Sequence, residues 1–237
     1  MPPGSTLKGN NERDACHGTR PNRTIVFLRS PQSHVYSQFL ECKYDAWGKK
    51  KTNHTTFPRG DMATPSGDFE EWLRHLAAQT ADDFNCYHPR NLQTRYMACA
   101  STPGHIPHHY QRAELASALR QLEDMAFVGI ADFYEESVCA FEVFVTGRTQ
   151  CTCVDGRLRT NIPTRHNIIL GHSVPSHSLH DVSPESLALI DALTQQDQAL
   201  YEAALTRFRE DVAFASQKSS VDLWCGARAR GSPSSRL

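Results

Sequence analysis

Apolar and polar positions follow two rhythms along this chain. Thr24-Ile-Val-Phe-Leu28 and Ala126-Phe-Val-Gly-Ile130 are short, nearly continuous apolar runs rich in β-branched residues. Such runs fit buried strands of a parallel sheet. Elsewhere apolar residues recur every three or four positions. Ser30 is a good N-cap and Pro31 suits the first helical position, and Val35, Phe39 and Cys42 then follow at helical spacing, predicting a helix over 31–43. Phe69, Trp72, Leu73 and Leu76 form a second stripe over 66–79, and Leu115, Leu119 and Leu122 a third over 110–124. Asp132 is placed to cap a helix reaching 146 through Phe133, Val138, Phe141 and Val145. Ser183 and Pro184 open another, with Leu187, Ile190 and Leu193 as its stripe. A last helix over 197–215 carries Leu200, Tyr201, Ala204, Leu205, Phe208 and Val212. Strands alternating with helices imply an α/β fold with a mostly parallel sheet flanked by helices.

Between these elements, 45–67 and 147–181 are rich in Gly, Pro, Thr, His and Asn and read as irregular. Residues 1–23 read as a flexible leader, 24–215 as one domain and 216–237 as a disordered Gly/Ser/Arg-rich tail. A chain of 237 residues is long enough for one domain with a sizeable core.

The chemistry concentrates after the first strand. Arg29 stands at its carboxyl end and Ser37 lies on the following helix. Open α/β sheets bind ligands beyond the carboxyl ends of their strands, and helix N-termini attract phosphate. An arginine and a hydroxyl held there read as a phosphate clamp.

Four segments together resemble carbohydrate sulfotransferases that use 3′-phosphoadenosine 5′-phosphosulfate (PAPS), most closely the heparan sulfate 6-O type. Arg29-Ser-Pro with Ser37 is similar to the family's 3′-phosphate segment, although Ser30 replaces an Asp and Ser33 or His34 falls where a second Arg is usual. Asn91-Leu-Gln-Thr-Arg-Tyr-Met97, Phe127–Ser137 and Asp197–Phe208 resemble three later segments in the same order. The resemblance implies a P-loop-like sulfotransferase fold, with PAPS as cofactor and a glycan or glycoconjugate hydroxyl as acceptor. It further implies Arg29 and Ser37 on the 3′-phosphate, Gln93 and Arg95 lining the nucleotide or acceptor side, and residence in the Golgi lumen or membrane.

The family's 5′-phosphosulfate loop has no counterpart here. Only 23 residues precede the Thr24 strand, and Gly4-Ser-Thr-Leu-Lys8 follows no apolar strand. The chain therefore reads as the C-terminal portion of such a domain, with the N-terminal part of the fold missing and no catalytic base assigned. The alternative is a non-catalytic glycan-binding or interaction protein of the same descent.

Other features change the picture less. A net charge of −1 gives no global field for nucleic acid, and no apolar run is long enough to span a membrane. Eight cysteines and the sequons at Asn22 and Asn53 suggest an oxidising, glycosylating compartment. Cys151 and Cys153 are too close to pair with each other, and each is free to pair elsewhere. Lys49-Lys-Lys51 and Arg59 read as a solvated charge run rather than a contact for an anionic glycan. His105-Ile-Pro-His-His109 with the two cysteines lacks the paired spacing of a zinc site, so no metal is expected. G-x-x-x-x-G-K-[ST] and G-x-S-x-G motifs are absent, which disfavours a nucleoside triphosphatase and a serine hydrolase.

Overall fold

A computed structural model describes residues 24–46, 48, 67–78, 89–98, 114–160, 174 and 177–225. The order is β1 (Ile25–Leu28), α1 (Pro31–Tyr44), α2 (Gly67–Ala78), α3 (Leu92–Met97), α4 (Leu115–Asp124), β2 (Phe127–Ile130), a 3-10 turn (Ala131–Phe133) and α5 (Tyr134–Thr146). A hairpin of β3 (Thr152–Val154) and β4 (Arg157–Arg159) follows, then a 3-10 turn (Leu179–Asp181), α6 (Pro184–Leu193) and α7 (Gln195–Ser219).

The mostly parallel sheet is not there. Among the described residues the strands form two two-stranded sheets, β1–β2 parallel and β3–β4 antiparallel, within a helix-dominated molecule. The reason lies in the pattern itself. Among the described residues outside the helices, only two stretches of four or more carry the continuous apolar run that a buried parallel strand needs, and most other apolar residues there sit at helical spacing. The expectation of a P-loop-like sulfotransferase sheet is corrected accordingly.

Two clusters bury the apolar stripes. Phe127, Val128 and Ile130 of β2 pack with Leu122 of α4, Ala140 and Val143 of α5, and Leu200, Ala204, Phe208 and Val212 of α7. The spacing of four along α7 places its residues on one face. A second cluster joins Val35, Phe39 and Leu40 of α1 to Phe69, Trp72, Leu73 and Leu76 of α2 and to Ile190 and Leu193 of α6. Phe39 meets Phe69 and Trp72 at tilted angles, its centroid 4.9 Å from that of Phe69, while Phe69 and Trp72 stack.

Side chains close several element ends. Ser183 Oγ accepts the Ser186 amide, with Pro184 first in the helix, as the sequence predicts. Arg207 donates to the carbonyls of Leu122, Glu123 and Met125, satisfying the end of α4. Gly147 ends α5 at φ 76°, a left-handed conformation that glycine adopts without strain. Asp155 and Gly156, both at positive φ, form the tight turn between β3 and β4. Disulfides Cys139–Cys151 and Cys153–Cys225 fasten this hairpin to α5 and to the segment after α7, so the two neighbouring cysteines do pair elsewhere.

Candidate functional site

The two parallel strands end side by side, and their carboxyl ends are held by side chains from later elements. Asp132 does not cap α5. Its carboxylate reaches across to α1, accepting the Ser30 amide at 2.7 Å and the Ser30 hydroxyl at 2.8 Å. Tyr201 also donates to it, at 3.3 Å. Burial and the neighbouring Asp132 charge push the Tyr201 phenol well above its ordinary range, so it remains a donor. A carboxylate of the chain thus occupies the N-terminus of α1, where a helix dipole favours an anion. The phosphate expected at that point has a competitor built in.

Gln93 stands against the end of β1. Its Oε1 accepts the Arg29 amide at 3.0 Å and its Nε2 donates to the Arg29 carbonyl at 2.9 Å, so one carboxamide replaces one residue of a neighbouring strand. Ser137 treats β2 the same way, its Oγ accepting the Ile130 amide and donating to the Ile130 carbonyl, both at 2.9 Å.

Helices α3 and α7 cap one another. Asp197 accepts the Gln93 amide at 3.2 Å and the Thr94 amide and hydroxyl at 2.7 Å each. In return Asn91, in the left-handed region at φ 48°, accepts the amides of Gln196 at 2.9 Å and Asp197 at 3.4 Å. Asp197 is 1% exposed, and burial raises its carboxyl pKa against the opposing pull of the Thr94 and Gln93 hydrogen bonds and of Arg95. Asn91, Gln93, Thr94, Ser137 and Asp197, all in the segments that carry the resemblance, therefore have structural work in one lock.

Beside this lock lies a cleft of about 370 Å³. Val26, Phe27 and Leu28 of β1, with Arg29 just beyond its end, form one wall, His34, Ser37, Gln38 and Glu41 of α1 a second, and Leu92, Gln93, Tyr96 and Met97 of α3 a third. Arg29, Ser37 and Gln93, three of the four expected site residues, meet here. Arg95 does not line it: it is 3% exposed and close enough to Asp197 to act on its charge.

Arg29 Nε donates to Ser33 Oγ at 2.8 Å. Glu41 lies seven residues beyond His34 along α1, about 10 Å at the helical rise. The cleft is thus lined by both a cation, Arg29, and a carboxylate, Glu41. Gln38, only 4% exposed, lies 3.1 Å by its Nε2 from His34 Nε2, while its buried Oε1 has no hydrogen-bond partner. Burial first, then Arg29, lower the His34 pKa to about 4 against the pull of Asp132, so the ring is neutral at physiological pH. His34, Gln38, Glu41 and Tyr96 were not singled out from sequence as ligand contacts. The visible signal was the spacing 34, 37, 38, 41, which puts one polar strip on a helix otherwise devoted to core.

The class this geometry defines is a helix-dominated α+β module with one parallel strand pair, among the described residues, and a mainly apolar cleft carrying a few polar side chains between β1, α1 and α3. No family model, curated protein or solved structure matches the chain.

The expectations that rested on a sulfotransferase sheet are corrected here. PAPS as cofactor, sulfuryl transfer as activity, a glycan acceptor, its non-catalytic glycan-binding variant and Golgi residence all presupposed a dominant parallel sheet, which is absent among the described residues. The membrane association implied by the resemblance has no support either: among the described residues no helix is long and apolar enough to cross a membrane. Zinc ligation by Cys151 and Cys153 is excluded by their disulfides. The histidine cluster at 105–109, the basic run at 49–51 with Arg59, both sequons, the Gly4–Lys8 stretch, the leader and residues 226–237 lie outside the described residues.

Proposed function

We propose that this protein is a binding module whose β1–α1–α3 cleft takes a small dipolar organic ligand. The acidic group lies at Arg29 and the donor group at Glu41 and Gln38. The observation that carries this reading is that Arg29 and Glu41, opposite in charge, line one cleft together with a buried, unmet acceptor, Gln38 Oε1. A buried polar atom without a partner costs about 1–3 kcal/mol, and a ligand donor on Gln38 Oε1 recovers it. Ser37 and Tyr96 add hydroxyls along the wall. Partial burial pushes the Tyr96 phenol up, against the pull of Arg95, which keeps it a hydrogen-bond donor. Val26, Leu28, Leu92 and Met97 supply the apolar lining that small-ligand sites share.

The test is calorimetric titration with 6-aminohexanoate, with hexanoate and hexylamine as single-charge controls. The amino acid is expected to bind at least tenfold more tightly than either control, and Arg29→Ala and Glu41→Gln are each expected to weaken it about tenfold. Equal affinity for all three compounds, or binding unaffected by both substitutions, overturns the reading.

A further inference from the structure

Among the described residues, the edge of β1 that forms one wall of the cleft pairs with no other strand. The Thr24 carbonyl accepts from the Ala126 amide on the β2 side, whereas both backbone groups of Arg29 bond Gln93 on the opposite side. The two-residue repeat of a strand then puts the amides and carbonyls of Ile25 and Phe27 on the Gln93 side as well. No described strand pairs that edge. The side chains of Ile25 and Phe27 are 43% and 41% exposed, unusual for a parallel strand, which is ordinarily covered on both faces. The Phe27 ring lies over Gly129, and Phe27 and Phe144, itself half-exposed, flank Phe127 with centroids 6.2 and 5.8 Å from it. The edge thus adjoins an open apolar patch.

Free strand edges recruit extended peptides, the main chain giving affinity and the flanking pockets giving selectivity. Two features decide which peptide. The edge ends where Gln93 takes the Arg29 backbone, so the added strand stops at the Arg29 guanidinium. A chain that stops beside a cation is one that ends in its own carboxylate. At the other end Glu41 repels a carboxylate and accepts N–H groups, which fixes the direction as parallel to β1. Three residues at about 3.3 Å each span about 10 Å, which matches the helical rise from His34 to Glu41 along the facing wall.

We propose that the cleft captures the free carboxyl terminus of a polypeptide. The last three residues add as a strand to β1 at Ile25 and Phe27, with the terminal carboxylate on Arg29 and a peptide N–H on Gln38 Oε1. This inference rests on the dipolar-ligand reading above and names its ligand. Apolar side chains on the peptide fit the patch of Ile25, Phe27 and Phe144.

Fluorescence anisotropy with a fluorescein-labelled Gly-Gly-Val-Val-Ile peptide tests it, in three forms: free carboxylate, terminal amide, and free carboxylate with N-methylated valines. The free acid is expected to bind at least tenfold more tightly than either modified form. Arg29→Ala is expected to erase the acid–amide difference, and the wild-type comparison decides the matter even where that variant fails to fold. Equal binding of acid and amide, or no loss on N-methylation, overturns the peptide inference. If 6-aminohexanoate binds and no peptide does, the small-ligand reading stands and the strand addition falls. If neither binds, both fall.

Discussion

Replacing Asp197 by Ala tests the reciprocal cap directly. The substitution strips one acceptor from three donors at once: the Gln93 amide, the Thr94 amide and the Thr94 hydroxyl. All three belong to the first turn of α3, a helix of six residues with little intrinsic stability of its own. Each donor left unmet in the interior costs about 1–3 kcal/mol, and the relief of no longer burying a carboxylate offsets several kcal/mol of that sum. The expected net loss is about 3–5 kcal/mol. For a chain of this size that corresponds to a fall in Tm of roughly 6–20 °C. Asp197→Asn keeps one acceptor oxygen for Thr94 but turns an amide donor toward Gln93, and is expected to cost about 1–2 kcal/mol. Urea unfolding measures both, read from the midpoint at constant m-value. The effect is cooperative, so Thr94→Val is expected to cost much less in the Asp197→Ala background than alone. The pH dependence has a definite sign. Because burial raises the folded carboxyl above its ordinary 3.8, the unfolded chain releases this proton first as pH rises. The stability contributed by Asp197 therefore falls as pH climbs from about 4 through the folded pKa, and the Asn variant lacks that slope. An Asp197→Ala protein within 1 kcal/mol of wild type, or strict additivity with Thr94→Val, would refute the account of the cap.

Two further predictions follow from local geometry. Gly129→Ala puts a methyl group 2.5 Å from the Phe27 ring, which must move, at a cost of about 1–3 kcal/mol; Phe27→Ala in the same chain is expected to remove most of that penalty in urea titrations. His34 titrates near 4 instead of 6.5, so as pH falls through that interval the unfolded chain protonates first and up to about 3 kcal/mol of stability is lost. An NMR titration placing its midpoint near 6.5 would contradict the burial argument, and His34→Leu is expected to flatten the acid limb of the stability curve.

The elements whose residues agree at every level were legible in sequence. The Thr24 and Ala126 runs became β1 and β2, and Ser183-Pro184 opened a helix by the capping its chemistry predicts; Pro31 begins α1 as expected, but the Ser30 side chain makes no cap bond and gives its hydroxyl to Asp132 instead. The difference lies in the strand count: alternation suggests a sheet, but two apolar runs make only one parallel pair, and no rule of alternation supplies the others. The β3–β4 hairpin was missed because the cysteines and arginines around it obscured the signal in Asp155-Gly156, a dipeptide suited to a tight turn. Asp132 was read as a local cap, and its true partner, Ser30, lies 102 positions away. Of the site, Arg29, Ser37 and Gln93 were visible, while Gln38 and Glu41 were not. Their part depends on α3 closing the cleft from a distance, which no local pattern encodes.

The bond between Cys153 and Cys225 closes a loop with a sequence separation of 72. A protease that cuts once anywhere inside that loop leaves two pieces still held by sulfur, so the nicked molecule keeps its mass until it is reduced. On a gel the intact and the cut forms differ only when a thiol is added. A preparation judged by non-reducing electrophoresis alone therefore overstates how much of the chain is whole.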